Sequence, residues 1–242
     1  MGKIKRDLPI RIVILLLSLI SPAAMALDCS DNIISDKKIC ALAVAGDADA
    51  QYSMGFMYSF MLGPEYYSAA MPWYLKAAEQ GHPKAQLDLG GMYAGGLGVK
   101  QNYVTAIQWM MKAAEQGYAN AQYRLGNMYD SGLGVKQNYV TAIQWYLKAA
   151  EQDHSSAQYN LGNMYAKGEG VKQNYSTASQ WYMKSAEGGN IFAQYDLGLM
   201  YAKGEGVKQN YSTAKHYFGQ SCENGYHIGC DEYRKLNEKG IQ

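Results

Sequence analysis

The chain repeats itself every 36 residues: 81–116, 117–152, 153–188 and 189–224 are four versions of one sequence. A period of this length makes each unit one supersecondary element that cannot bury its apolar face alone and does so by stacking on its neighbours. Within a unit the apolar residues carry the helical spacing twice. A first helix presents Ala121, Leu125, Gly126 and Tyr129 on one stripe, and a second presents Ala106, Trp109, Met110, Ala113 and Ala114 at the equivalent spacing one repeat earlier. The fold this predicts is all-α, an α-solenoid whose core runs along the array, and such arrays bind macromolecules more often than they catalyse.

Glycine recurs in register inside the first helix, at Gly55, Gly90, Gly126, Gly162 and Gly198. A mid-helix glycine costs about 1 kcal/mol relative to alanine, so these positions are expected to admit the close approach of another helix. The two helices are joined by Gly132-Leu133-Gly134-Val135-Lys136-Gln137-Asn138-Tyr139, in which the glycines end the first helix and Asn138 caps the second. The same loop follows Gly96, Gly168 and Gly204. Its Gly-x-Gly is read as a turn and not a phosphate cradle, because no Lys-Ser/Thr follows and no strand precedes it. Asn174-Tyr175-Ser176 and Asn210-Tyr211-Ser212 spell glycosylation sequons, but at predicted helix caps.

Residues 1–26 read as an export signal: Lys3, Lys5, Arg6 and Arg11, an apolar run from Ile12 to Ile20, then Ala24-Met25-Ala26 as the cleavage site before Leu27. The apolar run is shorter than the roughly 20 residues that span a bilayer, and no later stretch is as apolar. A membrane span in the mature chain is therefore not expected. Asp28 beside Cys29 does not fit a lipoprotein box, and Arg6 stands where a myristoylation signal needs Ser or Thr. The formal charge of +1 falls to −2 when four basic residues and Asp7 leave with the signal. No basic field remains for nucleic acid or an anionic membrane. The mature chain is expected in the periplasm or outside the cell, as a monomer.

The run Ala-Gln-Tyr-x-Leu-Gly-x-Met-Tyr, followed by Gly-x-Gly-Val and then Trp-Tyr-x-Lys-Ala-Ala-Glu, resembles the Sel1-like repeat, a relative of the tetratricopeptide repeat. The resemblance implies a right-handed superhelix of about five helix pairs used as a protein-binding adaptor. On this division 27–45 is an N-terminal cap segment, 46–80 an atypical first repeat, 81–116, 117–152, 153–188 and 189–224 repeats two to five, and 225–242 a C-terminal cap. The first repeat lacks the Gly-x-Gly-Val loop, is one residue short, and places Pro72 where the others have Gln108, Gln144 and Gln180. A proline there removes a hydrogen bond and favours a kink, so irregular geometry is expected at this end.

The four cysteines lie at the two ends of the array. In an exported chain they read as two disulfides; four cysteines allow three connectivities, and proximity favours Cys29–Cys40 and Cys222–Cys230. Cys222 takes the alanine position of a second helix (Ala114, Ala150, Ala186), and Cys230 follows eight residues on, a spacing similar to that of secreted cysteine-rich Sel1-like proteins. No Cys-x-x-Cys is present, and His82, His154, His216 and His227 form no helical ligand pair, so neither a metal nor another cofactor is expected.

Some cysteine-rich relatives have been proposed to bind or hydrolyse penicillins, which makes a β-lactamase-like enzyme the alternative to a binding module. Ser35-Asp36-Lys37-Lys38 and Ser212-Thr213-Ala214-Lys215 match Ser-x-x-Lys, and Ser30-Asp31-Asn32 matches Ser-Asp-Asn. No Lys-Thr-Gly follows, Ser212 falls in the first turn of a repeat helix, and Ser35 lies most of the array away from it. These are read as chance matches, and a non-catalytic scaffold binding a protein or peptide is the expectation.

Trp73, Trp109, Trp145 and Trp181 share one repeat position, and Tyr58, Tyr93, Tyr129, Tyr165 and Tyr201 share another, so both sets are read as core. The repeats disagree instead at Asp88, Gly91 and Gly95; Arg124, Asn127 and Ser131; Asn160, Asn163 and Lys167; and Asp196, Leu199 and Lys203. That spacing of i, i+3, i+7 makes one face of each first helix, roughly opposite the core stripe. In the related tetratricopeptide superhelix the first helices line the concave groove, so the resemblance implies that this stripe is the recognition surface. The first repeat presents Ser53, Phe56 and Phe60 there. The two phenylalanines are either an apolar hot spot for a partner or are covered by the segment from Cys29 to Cys40, and the second reading is preferred because a solenoid end must be sealed.

Overall fold

The computed structural model describes residues 37–242. The export signal, Cys29, Ser35 and the Ser-Asp-Asn match lie outside the described residues. Among the described residues the chain is built of helices, and it divides after Asn102 into two compact units. The first unit holds α1 (Lys37–Ala45), α2 (Ala48–Phe56), α3 (Tyr67–Glu79) and α4 (Pro83–Gly95). The second holds α5 (Tyr103–Glu115), α6 (Ala119–Ser131), α7 (Tyr139–Ala150), α8 (Ser155–Lys167), α9 (Tyr175–Glu187), α10 (Ile191–Lys203), α11 (Tyr211–Glu223) and α12 (His227–Glu238). Within each unit consecutive helices pack on one another, the stacking that defines the α-solenoid class.

The helix ends follow from local chemistry. Asn138, Asn174 and Asn210 are extended, and each accepts from the backbone N–H three residues on (Thr141, Thr177, Thr213) at 3.0–3.1 Å, as expected for N-caps. Gly132 ends α6 in the left-handed region at φ 74°, a conformation that glycine adopts without steric cost. Gln137 Nε2 then donates to the carbonyl of Asp130 at 2.7 Å, satisfying an orphan acceptor of the last turn. The second glycine of the loop answers to packing: a Cβ on Gly170 would lie 2.6 Å from Tyr139 Cβ, at the start of the second helix of the preceding repeat.

In the core, Ala121, Leu125, Ala157, Leu161, Ala193 and Leu197 of the first helices are fully buried. Tyr146, Tyr182 and Phe218 of the second helices are buried too, and their rings lie on Gly126, Gly162 and Gly198. At these three positions the glycine accommodates one aromatic ring from the second helix of its own repeat, a more specific purpose than helix approach in general. Each first helix also buries a glutamine. Gln51, Gln86, Gln122, Gln158 and Gln194 donate Nε2 to the carbonyls of Ala43, Ala78, Ala114, Ala150 and Ala186 near the end of the preceding helix. In turn Gln80, Gln152 and Asn224 donate to Oε1 of Gln51, Gln122 and Gln194. A buried polar group is kept only where it is bonded, so these glutamines fix the register of one repeat on the next.

Two sequence expectations need correction. Trp73 is buried, but Trp109, Trp145 and Trp181 are only half-buried, with Lys112, Lys148 and Lys184 lying 4.0–4.8 Å over their rings. The buried position is the following residue, because the core stripe of the second helix is centred there. Likewise Tyr58 is buried, whereas Tyr93, Tyr129, Tyr165 and Tyr201 are half-buried and Met92, Met128, Met164 and Met200 fill the core.

The first repeat is irregular as expected. After Phe56 the chain makes a π-helical turn over Met57–Met61, passes Gly63 at φ 106°, and enters α3 through a 3-10 turn at Pro64–Tyr66. α3 runs without interruption through Pro72. At the other end a disulfide joins Cys222 of α11 to Cys230 of α12, with Cα atoms 4.6 Å apart. Leu236 closes on Phe218, and Lys215 Nζ donates to the carbonyl of Ile241. Cys40 is buried and disulfide-bonded. No helix among the described residues is long and apolar enough to cross a membrane.

Candidate binding face

Several of the varied positions on α6, α8 and α10 are held by hydrogen bonds to tyrosines or to one another. Asn127 of α6 accepts on Oδ1 from the Tyr146 hydroxyl at 2.7 Å and from Nδ2 of Asn160, on α8, at 3.1 Å. Asn163 of α8 accepts from the Tyr182 hydroxyl at 2.7 Å. The Tyr159 hydroxyl, also on α8, donates to Asp196 Oδ2 on α10 at 3.0 Å. Successive first helices thus touch through their polar faces. The side-chain amides of Asn127 and Asn163 are held in one orientation by tyrosines anchored in the core.

Burial sets the electrostatics. It pushes the hydroxyls of Tyr146 and Tyr182 well above the ordinary phenol range and that of Tyr159 up to about 12, with Asp130 or Asp196 nearby adding to the effect. These hydroxyls stay protonated donors throughout the physiological range. Asp196 is raised above the usual carboxylate range by its burial, against which the Tyr159 bond and Lys203 act. Asp130, 3.4 Å from the Tyr146 hydroxyl, is raised by burial and by Glu169.

The remaining predicted positions separate. Arg124, Lys167 and Lys203 are exposed, the two lysines near Glu169 and Glu205 at 3.9 and 4.0 Å. Ser131 turns its hydroxyl back onto the carbonyl of Asn127 at 2.7 Å. Leu199 packs with Phe218 and Leu236, and so belongs to the C-terminal core more than to the open face. In the first unit Asp88 is half-buried and its charge acts on Tyr74, Gly91 is half-buried and Gly95 exposed. Phe56 and Phe60 stack at 5.1 Å and remain 40% and 77% exposed. Most of the segment expected to cover them, residues 29–36, lies outside the described residues; of the rest, α1 contributes Ile39 to a cavity of about 210 Å³ that also involves Tyr52, Met54, Phe56, Met57 and Met61.

One feature of this face has no counterpart in the sequence expectations. Tyr52, Tyr123, Tyr159 and Tyr195, which follow the buried glutamines, reach the next repeat: Tyr52 stacks on His82 and Tyr123 on His154, both at 4.6 Å, while Tyr159 meets Phe192 at 6.0 Å and Tyr195 meets Tyr226 at 5.3 Å. The signal was the recurrent Gln-Tyr dipeptide, legible as a motif but not as a contact. Ser212 and Lys215 do not form a catalytic pair. The lysine is committed to the Ile241 carbonyl and lies 5.5 Å from the Tyr233 ring, and Ser212 is exposed in the first turn of α11. Among the described residues no group of three or more His, Cys, Asp or Glu could hold a metal ion.

Five consecutive matches to the Sel1 repeat cover residues 48–82, 83–118, 119–154, 155–190 and 191–226, most of the chain. The chain is a Sel1 repeat protein. No curated protein matches it in sequence. Among solved structures it is similar to c5321, a protective antigen of uropathogenic Escherichia coli strains, at 34% identity and a TM-score of 0.80 over 97% of this chain. The chain spans about half of that protein, 53% of its length. A Sel1 repeat protein from Oxalobacter formigenes is 32% identical at a TM-score of 0.73, covering 81% of this chain and 88% of its own. A putative Sel1 repeat protein from Klebsiella pneumoniae is 27% identical at 0.53, covering 83% and 98%. Membership of the Sel1 repeat family, whose members are protein-interaction modules, supports a protein-binding scaffold role.

Proposed function

We propose that this Sel1 repeat protein is an exported, non-catalytic adaptor that binds a protein or peptide across the first helices of its second unit, at Arg124, Asn127, Asn160, Asn163, Lys167 and Asp196. The observation that carries this reading is the set of hydrogen bonds by which tyrosine hydroxyls hold the side chains of Asn127, Asn163 and Asp196 in place. Binding loses less conformational entropy when its polar groups are already oriented. A neutral solvent face has no need of such anchoring, because exposed side chains hydrogen-bond to water without it. Export accords with the Cys222–Cys230 disulfide, since disulfides persist in oxidising compartments. It also accords with the likeness to a protective antigen, which antibodies must be able to reach.

The test is an immobilised-chain capture from envelope and medium fractions, read by mass spectrometry, with wild type run beside a variant carrying Arg124→Ala, Asn160→Ala and Lys167→Ala. Proteins enriched by wild type and lost from the variant support the reading. Identical capture by both, with both folded by circular dichroism, overturns the assignment of this face.

A further inference from the structure

Two histidines occupy one repeat position and perform one structural task with different partners. His82 and His154 are the N-caps of α4 and α8. Each accepts on Nδ1 from the backbone N–H three residues on, Ala85 at 3.1 Å and Ala157 at 3.3 Å, and each ring stacks on a tyrosine of the preceding first helix at 4.6 Å. An imidazole that accepts on Nδ1 carries its proton on Nε2. In His154 that Nε2–H donates to Asn120 Oδ1 at 3.1 Å. One ring therefore caps α8 while holding it to α6.

Protonation puts a hydrogen on Nδ1 and leaves two donors facing each other at the cap. At His82 there is compensation: Nε2 lies 3.2 Å from Asp49 Oδ1, so the protonated ring gains an ion pair as it loses the cap. At His154 no carboxylate takes that place; only a backbone hydrogen bond of the residue itself favours the charged ring, and burial outweighs it. The groups around its ring are the amide of Asn120, whose Nδ2 is already directed to the Tyr118 hydroxyl, the face of Tyr123, and the guanidinium of Arg124, all on or beside α6. From α7 it receives only a backbone contact, its own N–H donating to the Ala149 carbonyl.

We propose that His154 makes the junction between the third and fourth repeats acid-sensitive: protonation of its ring uncaps α8 and loosens that helix from α6, while the equivalent junction at His82 stays closed. Burial holds the His154 imidazole below its ordinary value against its own backbone hydrogen bond, with Arg124 adding to the effect of burial. The folded state therefore resists a proton that the unfolded chain accepts. The junction is fully stable above about pH 6.5 and weakens as pH falls below it.

Amide hydrogen exchange of the chain at pH 7.5 and 5.0, corrected for intrinsic rates, tests this. Protection at the start of α8 is expected to fall roughly fivefold at pH 5.0, the scale of one lost N-cap. The start of α10, capped by the non-titrating Asn190 through bonds of 3.0 Å to the Phe192 and Ala193 N–H groups, should not respond. His154→Asn copies that cap and should fold and abolish the acid response. Persistence of the response in His154→Asn, an equal response at α10, or an equal response at the start of α4 overturns the proposal. So does a histidine ¹⁵N spectrum at pH 7.5 showing the His154 proton on Nδ1.

Discussion

Alanine in place of Gly162 should destabilise the protein, although alanine is the better helix former. Gly162 sits inside α8, and a Cβ there would lie 2.5 Å from Tyr182 Cδ1, a distance that real Cβ atoms do not tolerate. The ring cannot slide away freely, because Tyr182 is buried at 4% exposure and its hydroxyl is tethered to Asn163 Oδ1 at 2.7 Å. Helix propensity returns about 1 kcal/mol for Gly→Ala, while overpacking a closed core costs about 1–3 kcal/mol and the strained tyrosine bond about 1 more. A net loss of about 1–3 kcal/mol follows. Gly91 is the internal control: it lies within α4, and a Cβ there would meet nothing within 4 Å. Gly91→Ala should therefore stabilise by about 0.5–1 kcal/mol through the same propensity effect acting alone. Urea titrations followed by circular dichroism at 222 nm measure both. If Gly162→Ala equals or exceeds wild type in midpoint at unchanged slope, the ring-on-glycine account of the repeat core is wrong. If Gly91→Ala destabilises, the propensity half of the argument fails.

Three further outcomes are expected. Cys222→Ser should cost about 2–3 kcal/mol from loop closure over the eight-residue separation, read as faster amide exchange confined to α12 and the end of α11. Asp196→Asn should stabilise at pH 7, because burial raises the carboxyl above its unfolded value and the charged form is the disfavoured one. The amide still accepts from Tyr159, and the gain over wild type in thermal melts should disappear as pH falls to the carboxylate range. Asn127→Ala should lose about 1 kcal/mol of stability, because it leaves the buried Tyr146 hydroxyl only the longer bond to Asp130 at 3.4 Å, whereas Arg124→Ala should leave the melting temperature within about a degree. Equal effects of the two would remove the distinction drawn here between anchored and free positions of the stripe.

Much of the candidate face was legible as a pattern. The spacing of Asp88, Arg124, Asn160 and Asp196 identified one side of each first helix without any coordinates, because a helix phase is set by local geometry. What those side chains do there was not legible. Asn127 and Asn163 are held by tyrosines 19 residues away in sequence, and Asp196 by a tyrosine one repeat earlier, 37 residues away. Leu199 read as a surface variation, yet it closes the C-terminal core on Phe218 and Leu236.

The sequence by itself determined the period and the helix pairs, through recurrence every 36 residues, and the asparagine caps and glycine turns, which depend on residues within about ten positions of one another; it favoured the Cys222–Cys230 bond by proximity. Only the tertiary structure decided which residue of a Trp-Tyr pair enters the core, which carbonyl each buried glutamine reaches, and which ring nitrogen of His154 serves as a cap. Those choices depend on how far one helix is rotated and displaced against the next. A shift of one residue, about 100° of helix rotation, moves a side chain between core and surface without changing the local pattern from which it was read.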